Sequence, residues 1–497
     1  MAAAAPAMRT TPVPDASGLS GREVTLAWVA TGACCLYYLF LITNGGFDLG
    51  APEALGFVFD RMAWHLLHGR FDIEPEIIGR EAFVFEGKTY AYFGIFPALL
   101  RVPLVLAYGT EPPSLSRLSC WVGLCIAAAA STAILLSVAD RLPRFGWRGA
   151  LLGLVLCATL LTGPMLGLAF SAYIFNEPII WSVALAMLLL LMLVRQATGH
   201  ALPTPGRLAA MGVLAGLALL TRPVAGIGMT FALMVATLVL PTLTPDAAPG
   251  AWRRWLAGAV HTGCWIALGL VPLVLLVMAV NYGRWGNPFE FSPQTANVQV
   301  IADARRMRVN LEYGVFELAR LPVGLGYYLL GLINDGWLGG LSDRIMDDLG
   351  WPRSALAATV TAQFVLAAIA AVALLRGTLP APLRGRRLLM LAAMPLAMAA
   401  MLLTLSVMNY RYRLEFLPLL VLGSALGFAA MAQVREATAR RAMLGLGVLV
   451  AANLAVSHLD LLQAKLATFA QPEAARQVII EGTAPFSRLF VRGPAAQ

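Results

Sequence analysis

Charged side chains beside long apolar runs are the groups in this sequence most able to do chemistry. Ionisable residues near a bilayer are costly to place, so they tend to mark functional sites. The members of this set are Asp48, Glu53, Lys88, Glu177, Arg222, Arg411 and Arg413. We expect them to lie at the ends of membrane spans on one face of the membrane, where they could converge.

The residue types in this set suit the transfer of a sugar that is carried on a lipid phosphate. Such a donor keeps its isoprenoid tail in the bilayer and its head at the interface. A carboxylate could take the proton of an acceptor hydroxyl as general base. Arginines could hold the phosphate as it leaves with growing negative charge, because their planar fork matches phosphate oxygens.

The composition indicates that membrane spans position these residues. The chain has 497 residues, of which 59% are hydrophobic and 13% are charged, and its mean hydropathy is +0.74. Soluble domains are about 25% charged. The net charge of +9 does not indicate nucleic-acid binding, because the basic residues occupy short loops between apolar runs.

Apolar runs long enough to cross a bilayer recur along most of the chain. We predict an all-α polytopic membrane protein with about 11 transmembrane helices (range 11–13). The predicted spans are 25–44, 115–139, 149–170, 178–195, 208–220, 223–241, 255–282, 354–375, 388–408, 414–433 and 442–459. Pro223 should stop or kink the helix between the fifth and sixth spans.

The distribution of arginine predicts the orientation. Alternate loops are basic, and they carry Arg141, Arg144 and Arg148; Arg195 and Arg207; Arg253 and Arg254; Arg376, Arg384, Arg386 and Arg387; and Arg435, Arg440 and Arg441. The segment 45–114 is instead acidic. Basic loops stay in the cytoplasm, so we expect a cytoplasmic N-terminus, an outer acidic segment and, as location, the bacterial inner (plasma) membrane.

This orientation requires that residues 96–109 do not cross the membrane. This short stretch contains Arg101 and two prolines, and we interpret it as a helix at the outer surface. Residues 51–69 should form a second surface helix, with Leu55, Val58, Phe59, Met62 and Leu66 in one apolar stripe and with Glu53 and Asp60 on the opposite face. Gly69 should end that helix.

The predicted domain organisation is simple. Residues 1–24 form a cytoplasmic tail, 25–459 a single transmembrane domain, and 460–497 a C-terminal tail. Two large outer segments, 45–114 and 283–353, belong to the transmembrane domain. We find no internal repeat of the kind that many transporters carry.

Several stretches resemble the GT-C superfamily of integral-membrane glycosyltransferases, which use polyprenyl-phosphate sugars. They are FVFEGKTYAYFGIFPALLRVPL (83–104), SAYIFNEPIIWSVALAM (171–187), GVLAGLALLTRPVAGI (212–227), VNYGRWGNPFEF (280–291) and NYRYRLEFLPLLVL (409–422). Each stretch alone is weak evidence, whereas their shared order is more specific. The resemblance extends over most of the chain.

The resemblance implies an acidic residue in the first outer loop as catalytic base. Asp48 and Glu53 are the candidates, with Asp60 third. Many family members carry Asp, often Asp-Glu, at this point, whereas this chain has APEALG. Relatives that handle lipid A carry a lysine in the next segment, where Tyr92 stands here. Tyr173 and Glu177 match a Tyr-x-x-x-Glu span start and are further cavity candidates.

We therefore expect a membrane-embedded, inverting glycosyltransferase of the cell envelope that acts on the outer (periplasmic) side. Lys88, Tyr92, Arg222, Arg411 and Arg413 would bind the donor phosphate. The partners would be a polyprenyl-phosphate-linked sugar, a glycan or lipid acceptor, and membrane lipids. One alternative function is a transporter or flippase of lipid-linked sugars, which needs a gated path through the membrane. Another is a polymerase or ligase of surface glycans that uses lipid diphosphate donors.

Each candidate also has a purely structural interpretation. Asp48 could cap a helix, Glu53 and Asp60 could form a solvated face, and Glu177 could pair structurally. Arg222, Arg411 and Arg413 could anchor span ends at lipid headgroups.

We expect no cofactor and no resident metal. The six cysteines all lie in apolar runs, which argues against a disulfide framework and a zinc site. The remaining candidates for a divalent cation are His65 with His68, and Asp343 with Asp347 and Asp348 in a loop that we expect to be solvated.

Overall fold

The structure is a computed structural model that describes residues 18–109, 113–143, 145–243, 252–331, 336–350 and 354–469. The protein is an all-α polytopic membrane protein, as predicted. The predicted tail residues 1–17 and 470–497 lie outside the described residues, as do Arg144 and the span-adjacent residues 351–353.

The described helices follow one another with little intervening sheet. They are α1 (Gly21–Ile42), α2 (Val58–Leu67), α3 (Pro75–Ile78), α4 (Phe96–Tyr108), α5 (Ser116–Ala139), α6 (Arg148–Leu160), α7 (Gly163–Leu168), α8 (Asn176–Ala197), α9 (Pro205–Leu219), α10 (Pro223–Val239), α11 (Trp252–Trp285), α12 (Val298–Ile301), α13 (Ala304–Tyr313), α14 (Leu321–Leu325), α15 (Gly336–Ile345), α16 (Leu356–Thr359), α17 (Thr361–Leu375), α18 (Arg386–Thr404), α19 (Leu417–Met431) and α20 (Glu436–Phe469).

Short strands and turns connect these helices at one end of the bundle. Strands β1 (Phe83–Phe85) and β2 (Lys88–Tyr90) form an antiparallel hairpin, and β3 (Asp348–Leu349) and β4 (Val407–Met408) pair in parallel. Single turns of 3-10 helix include Gly79–Glu81, and a longer one spans Tyr410–Phe416.

Within the described ranges, 9 helices are long and apolar enough to cross a membrane. The predicted spans 208–220 and 354–375 correspond to α9 and α17, which are shorter apolar helices of 15 residues each. Helix α9 ends at Leu219 and α10 begins at Pro223. The chain therefore breaks where Pro223 predicts, and Arg222 occupies the extended backbone between the two helices.

Helices α1 and α5 run in opposite directions. Near the start of α1, Leu19 N donates to Asp140 Oδ1 after the end of α5 (3.0 Å). Beyond the other end of α1, Asp48 O accepts from Arg117 Nη1 at the start of α5 (2.9 Å). The segment between α1 and α5 therefore starts and ends at the same end of the bundle, which is the arrangement predicted for a segment that does not cross.

We refer to this end, which holds Arg117, as the site end. Helix α4 packs there against α2 and α8. Its Arg101, which was expected on a surface helix, is fully buried. The guanidinium reaches Glu177 at the start of α8, and Nη2 lies 2.8 Å from Oε2. This buried ion pair holds segment 45–114 onto the bundle.

The predicted surface helix 51–69 needs correction. Helix α2 begins only at Val58, and Leu55 lies before it with a positive φ of 58°. Asp60, expected on a solvated face, is buried because α4 covers that side of α2. Gly69 adopts a φ of +68° just after the helix, as its predicted role in ending the helix requires.

Close backbone contact between α9 and α11 fixes the position of the long helix α11. A Cβ on Gly212 would lie 2.1 Å from Ile266 O, and one on Gly269 would lie 2.0 Å from Ala209 O. Only glycine permits this approach, which is a common way for membrane helices to pack. The packing sets where the last turn of α11, including Arg284, stands at the site end.

The predicted boundary of the C-terminal tail at residue 460 also differs from the structure. Helix α20 continues to Phe469. Its Lys465 is buried and donates to Leu41 O at the end of α1 (2.7 Å), to Asn44 Oδ1 and to Phe170 O. The last turns of α20 therefore belong to the bundle.

Candidate functional site

One cavity of about 410 Å³ opens at the site end of the bundle. Its wall is formed by the segment after α3, the α9–α10 connection, the end of α11 with the loop that follows, and the stretch after α18. The charged residues that line it are Glu81, Arg222, Arg284, Glu290, Arg306, Asp348 and Arg411.

Arg222 lines the cavity, as the sequence analysis led us to expect for a phosphate-binding residue. Its Nε donates to both carboxylate oxygens of the fully buried Glu415, at 2.9 Å each. The guanidinium carbon lies 4.2 Å from the ring centroid of Tyr412. These contacts use Nε and one face of the guanidinium, so the two terminal nitrogens remain able to donate to a ligand.

Arg411 lines the same cavity, 189 positions further along the chain. Its Nε donates to Asn409 Oδ1 (3.2 Å), and its guanidinium lies 4.2 Å from the centroid of the Phe175 ring. Within the described part of the chain, no carboxylate forms an ion pair with it. Arg411 thus presents to the cavity a positive charge that no described carboxylate holds in an ion pair.

Arg284, which the sequence analysis did not single out, is the most buried cation of the cavity wall. It is only 4% exposed, and its Nη1 donates to Phe93 O (3.0 Å). Its Nε is buried without a hydrogen-bond partner, and none of the described carboxylates pairs with it. A buried, uncompensated guanidinium is costly, so this position favours an anionic ligand.

Among the described residues of segment 45–114, Glu81 is the carboxylate that lines the cavity. It ends a single 3-10 turn, Gly79–Glu81, and its Oε1 accepts a hydrogen bond from Gln299 Nε2 (3.0 Å). Burial raises the pKa of its carboxyl, while Arg411 and Arg306 act in the opposite direction. A carboxylate with a raised pKa in a cleft is suited to general base catalysis.

Two further acids share the cavity wall. Glu290 lies in the loop after α11, and Asp348 lies in β3. Arg306 stands nearby and is paired with the buried Asp347, whose Oδ1 is 2.6 Å from Arg306 Nε. The cavity therefore contains carboxylates and arginines together, so a ligand with both hydroxyls and an anionic group could be held.

Of the other predicted donor-binding residues, the structure brings Tyr92 to the cavity but not Lys88. Tyr92 lines the wall and contacts Phe93, with ring centroids 4.2 Å apart. Lys88 is exposed at the start of β2. Tyr173, named as a further cavity candidate, is half-buried against Phe170 and is absent from the lining.

The three acids predicted as catalytic base do not line this cavity. Asp48 is exposed, and its Oδ1 accepts from Gly50 N (2.9 Å), which is a local turn contact. The Glu53 carboxylate is engaged by Arg117 Nε at 2.7 Å. Asp60 is buried beneath α4, and neither of its carboxylate oxygens has a hydrogen-bond partner among the described residues. Their proposed catalytic role remains a prediction.

Glu177 and Arg413 also stand apart from the cavity wall. Glu177 is fully buried in its pair with Arg101, in agreement with the structural interpretation of that residue. Arg413 is buried, and its guanidinium contacts Ser354 O, Tyr410 O (3.2 Å) and Asp460 Oδ2 (3.4 Å). Arg413 therefore holds the 3-10 turn that carries Arg411.

The candidate cation ligands are dispersed or already paired. His65 Nε2 lies 3.2 Å from Glu74 Oε1, and His68 Nδ1 contacts Trp64 O. Asp347 is paired with Arg306, as described above. In the parts of the chain that the structure describes, no group of three or more His, Cys, Asp or Glu side chains is arranged to hold a metal ion.

Comparison with known proteins gives only distant structural similarity. No protein-family model matches the chain, and no curated protein sequence matches it. The chain is similar to the crystal structure of ArnT from Cupriavidus metallidurans bound to undecaprenyl phosphate, with 15% identity, a TM-score of 0.47, and coverage of 95% of this chain and 71% of that one.

It is also similar to the oligosaccharyltransferase of Archaeoglobus fulgidus in its apo form, with 14% identity and a TM-score of 0.49. The alignment covers 96% of this chain and 62% of the archaeal chain, so this chain spans less than two thirds of that protein's length. A structure of the same archaeal protein, AglB, with an inhibitory peptide and a dolichol-phosphate gives a TM-score of 0.46 at 13% identity, covering 96% and 61% of the two chains. Because each TM-score is below 0.5, the functional proposal rests on the geometry of the cavity.

Proposed function

We propose that this protein is an integral-membrane glycosyltransferase that moves a sugar from a polyprenyl-phosphate donor to an acceptor hydroxyl. The reaction takes place in the cavity at the site end of the bundle. The observation that carries the proposal is the presence, in one cavity, of the carboxylate of Glu81 and of the guanidinium groups of Arg284 and Arg411, neither of which forms an ion pair with a described carboxylate.

The arginines support binding of a phosphate group. Arg284 and Arg411 lack carboxylate partners among the described residues, and Arg222 keeps its terminal nitrogens available beside its pair with Glu415. In the reaction the bond between the sugar C1 and the phosphate oxygen breaks, and the polyprenyl phosphate leaves with one more negative charge. Preorganised guanidinium groups stabilise that developing charge in the transition state.

Glu81 is the residue that we propose as general base. It accepts the proton of the acceptor hydroxyl while that oxygen forms the new bond to C1 of the sugar. A single displacement of this kind inverts the configuration at C1. Glu53 is a weaker candidate because Arg117 holds its carboxylate, and Asp48 is weaker because it lies outside the cavity wall.

The lipid tail of the donor requires an apolar route to the cavity. Val224 and Ile227 of α10 line the cavity, and Ile227 is 42% exposed on the outside of the helix. An isoprenoid can therefore pass from the bilayer to the cavity along α10. The same lateral access suits a donor that remains embedded in the membrane throughout the reaction.

We place the reaction on the outer, periplasmic face. The described basic residues Arg141, Arg195 and Arg384 lie at helix ends or in loops opposite the site end, and basic residues beside spans favour the cytoplasm. This assignment is tested with single cysteines at exposed positions such as Lys88 and Arg207. A membrane-impermeant maleimide is added to intact cells, and the labelling of each position is measured. Labelling of position 207 but not of position 88 would contradict the assignment.

The activity itself is tested with purified protein in detergent. A radiolabelled polyprenyl-phosphate sugar is incubated with lipid and glycan acceptors, and transfer of label is measured. Detergent removes the two separate compartments, so transfer there reports catalysis and not transport. Movement of labelled donor across proteoliposomes without any transfer in either system would support the transporter alternative and contradict the proposal.

A further inference from the structure

An apolar surface without charge lies beside the mouth of the cavity, outside the predicted spans. It is formed by the 3-10 turn Leu318–Arg320, by α14 and by the π-helical turn Gly326–Leu330 that continues it. The side chains of Leu318, Leu321, Leu325 and Leu330 are all exposed, and Leu318 is exposed to 79%. Contiguous exposed apolar side chains of this kind mark a contact with a partner or a membrane.

The charge pattern of this element is unusual for a surface exposed to water. From Leu318 to Leu330 the sequence contains one residue of the Asp, Glu, Lys and Arg type, Arg320. Arg320 is fully buried, and its guanidinium donates to the carbonyl oxygens of Ile345 (2.8 Å), Val315 (2.9 Å) and Gly314 (2.9 Å). The outward face therefore presents no cation or anion to its surroundings.

The contacts of this element with α18 show that it lies at the end of that helix. Gly324 packs so closely on α18 that a Cβ would lie 2.6 Å from Leu403 O. Glu317 N donates to Thr404 O (3.0 Å), which is the last residue of that span. The exposed leucines thus stand at the level of the end of a membrane-spanning helix, where the hydrocarbon of the bilayer begins.

We propose that residues 318–330 are inserted in the outer leaflet of the bilayer, with Leu318, Leu321, Leu325 and Leu330 among lipid acyl chains. The partner is the lipid itself. Burial of apolar side chains at the boundary between headgroups and acyl chains stabilises such elements. Because Phe316 next to this element lines the cavity, the inserted element forms a membrane-facing edge of the cavity mouth. The insertion does not depend on the proposed reaction.

The preceding helix α13 supplies a matched control position. Leu311 is 71% exposed, similar to Leu318, but it lies on α13, which also carries Arg305, Arg306, Arg308 and Glu312. A helix with four charged side chains stays in water, so position 311 should lie outside the hydrocarbon. The single acid beside Leu318, Glu317, instead accepts a hydrogen bond from Ala319 N at the start of the next turn. The comparison of positions 318 and 311 therefore separates membrane insertion from simple exposure.

The test is photo-crosslinking of the full chain in vesicles of phosphatidylethanolamine and phosphatidylglycerol. The photoreactive residue p-benzoyl-phenylalanine replaces Leu318, Leu325 or Leu311 one at a time. After irradiation, mass spectrometry of the intact protein detects covalent lipid adducts. We expect several-fold more lipid adduct at positions 318 and 325 than at position 311.

Two results would overturn the proposal. Lipid adducts at positions 318 and 325 no more abundant than at 311 would show that the element faces water. Covalent dimers at 318 or 325 would show that a second copy of the chain covers the surface. If a crosslinking variant does not fold, a nitroxide at Leu318→Cys or Leu311→Cys gives the same comparison through accessibility to oxygen and to a water-soluble nickel complex.

Discussion

Gln299 donates a hydrogen bond of 3.0 Å to Oε1 of Glu81 at the wall of the cavity. Among the described residues, it is the one hydrogen-bond donor to this carboxylate. The contact joins segment 45–114 to segment 283–353, between two residues 218 positions apart in the chain. It holds the proposed base in the cavity that Arg222, Arg284 and Arg411 also line.

The substitution Glu81→Gln should strongly reduce turnover with little change in donor binding. It removes the group that accepts the proton, and general base catalysis contributes roughly 10²–10⁴-fold in rate. The measurement is kcat for transfer from a labelled polyprenyl-phosphate sugar. Glu86→Gln is the matched control, because Glu86 is exposed in the same segment and does not line the cavity. Equal rates for the two variants would refute the role of Glu81.

The reaction rate should depend on pH through the ionisation of Glu81. A general base must be deprotonated, so the rate falls as pH drops through its pKa. Burial raises the pKa of Glu81, so this acid limb should lie above the ordinary value of about 4.3 for Glu. The limb should disappear in Glu81→Gln, where the residual rate should be flat with pH.

Removing the hydrogen bond from Gln299 to Glu81 should shift the acid limb of the pH–rate profile to higher pH. The amide of Gln299 stabilises the charged carboxylate, which lowers the pKa of Glu81. In Gln299→Leu the pKa should rise, and the acid limb of the kcat profile should shift to higher pH. A shift to lower pH, or an unchanged profile, would contradict the assignment.

Arg284→Ala should weaken the binding of polyprenyl phosphate. The residue is buried without a carboxylate partner, and a hydrogen bond to a charged group contributes about 1.5–3 kcal/mol, or roughly 10–10²-fold in Kd. Arg284→Lys should recover part of the affinity because it restores the charge. The Kd for undecaprenyl phosphate in detergent micelles is the readout, and Arg308→Ala, at an exposed position on α13, is the control.

Arg413 should act as a positioning residue for Arg411. The buried contact between Arg413 and Asp460 ties the turn Tyr410–Phe416 to α20. In Asp460→Asn the turn loses charge complementarity, and the Kd for polyprenyl phosphate should rise several-fold while kcat at saturating donor changes less. Asp460→Glu should restore part of the affinity. A variant that unfolds at a lower temperature but binds normally would indicate a purely structural contact.

The ion pair between Arg101 and Glu177 should be important for stability. Removing one partner of a buried pair leaves an uncompensated charge and costs about 3–5 kcal/mol. Glu177→Leu should therefore lower the Tm in detergent strongly. The double variant Arg101→Met with Glu177→Leu should recover much of this loss. A double variant no more stable than Glu177→Leu would show that the surrounding hydrogen bonds, including that from Trp181 to Ser119, matter more.

Much of the bundle could be predicted because hydropathy and charge act locally. Apolar runs predicted the spans, and Pro223 predicted the break between α9 and α10. Of the three arginines that were predicted to bind the donor phosphate, Arg222 and Arg411 line one cavity, whereas Arg413 does not. Each of these inferences uses only a short stretch of sequence. Its physical basis is the free-energy cost of burying a charge in a bilayer.

The position of Glu81, the proposed base, could not be predicted because it depends on contacts distant in sequence. The turn Gly79–Glu81 has no periodicity, and it is placed where Val298 N donates to Ala82 O (3.1 Å). Periodicity assigned Asp60 to a solvated face, but α4 covers it. Arg284 ends a long apolar run, and its sequence position alone does not show that it lines the cavity. Tertiary packing decides all three cases.

The most direct test of this account is a structure of the protein determined by cryo-electron microscopy with polyprenyl phosphate bound. The account predicts that the phosphate lies in the cavity within hydrogen-bond distance of Arg284 or Arg411, with the isoprenoid leaving along α10. A phosphate bound elsewhere, for example beside Lys465 and Arg117 near Asp48, would contradict it.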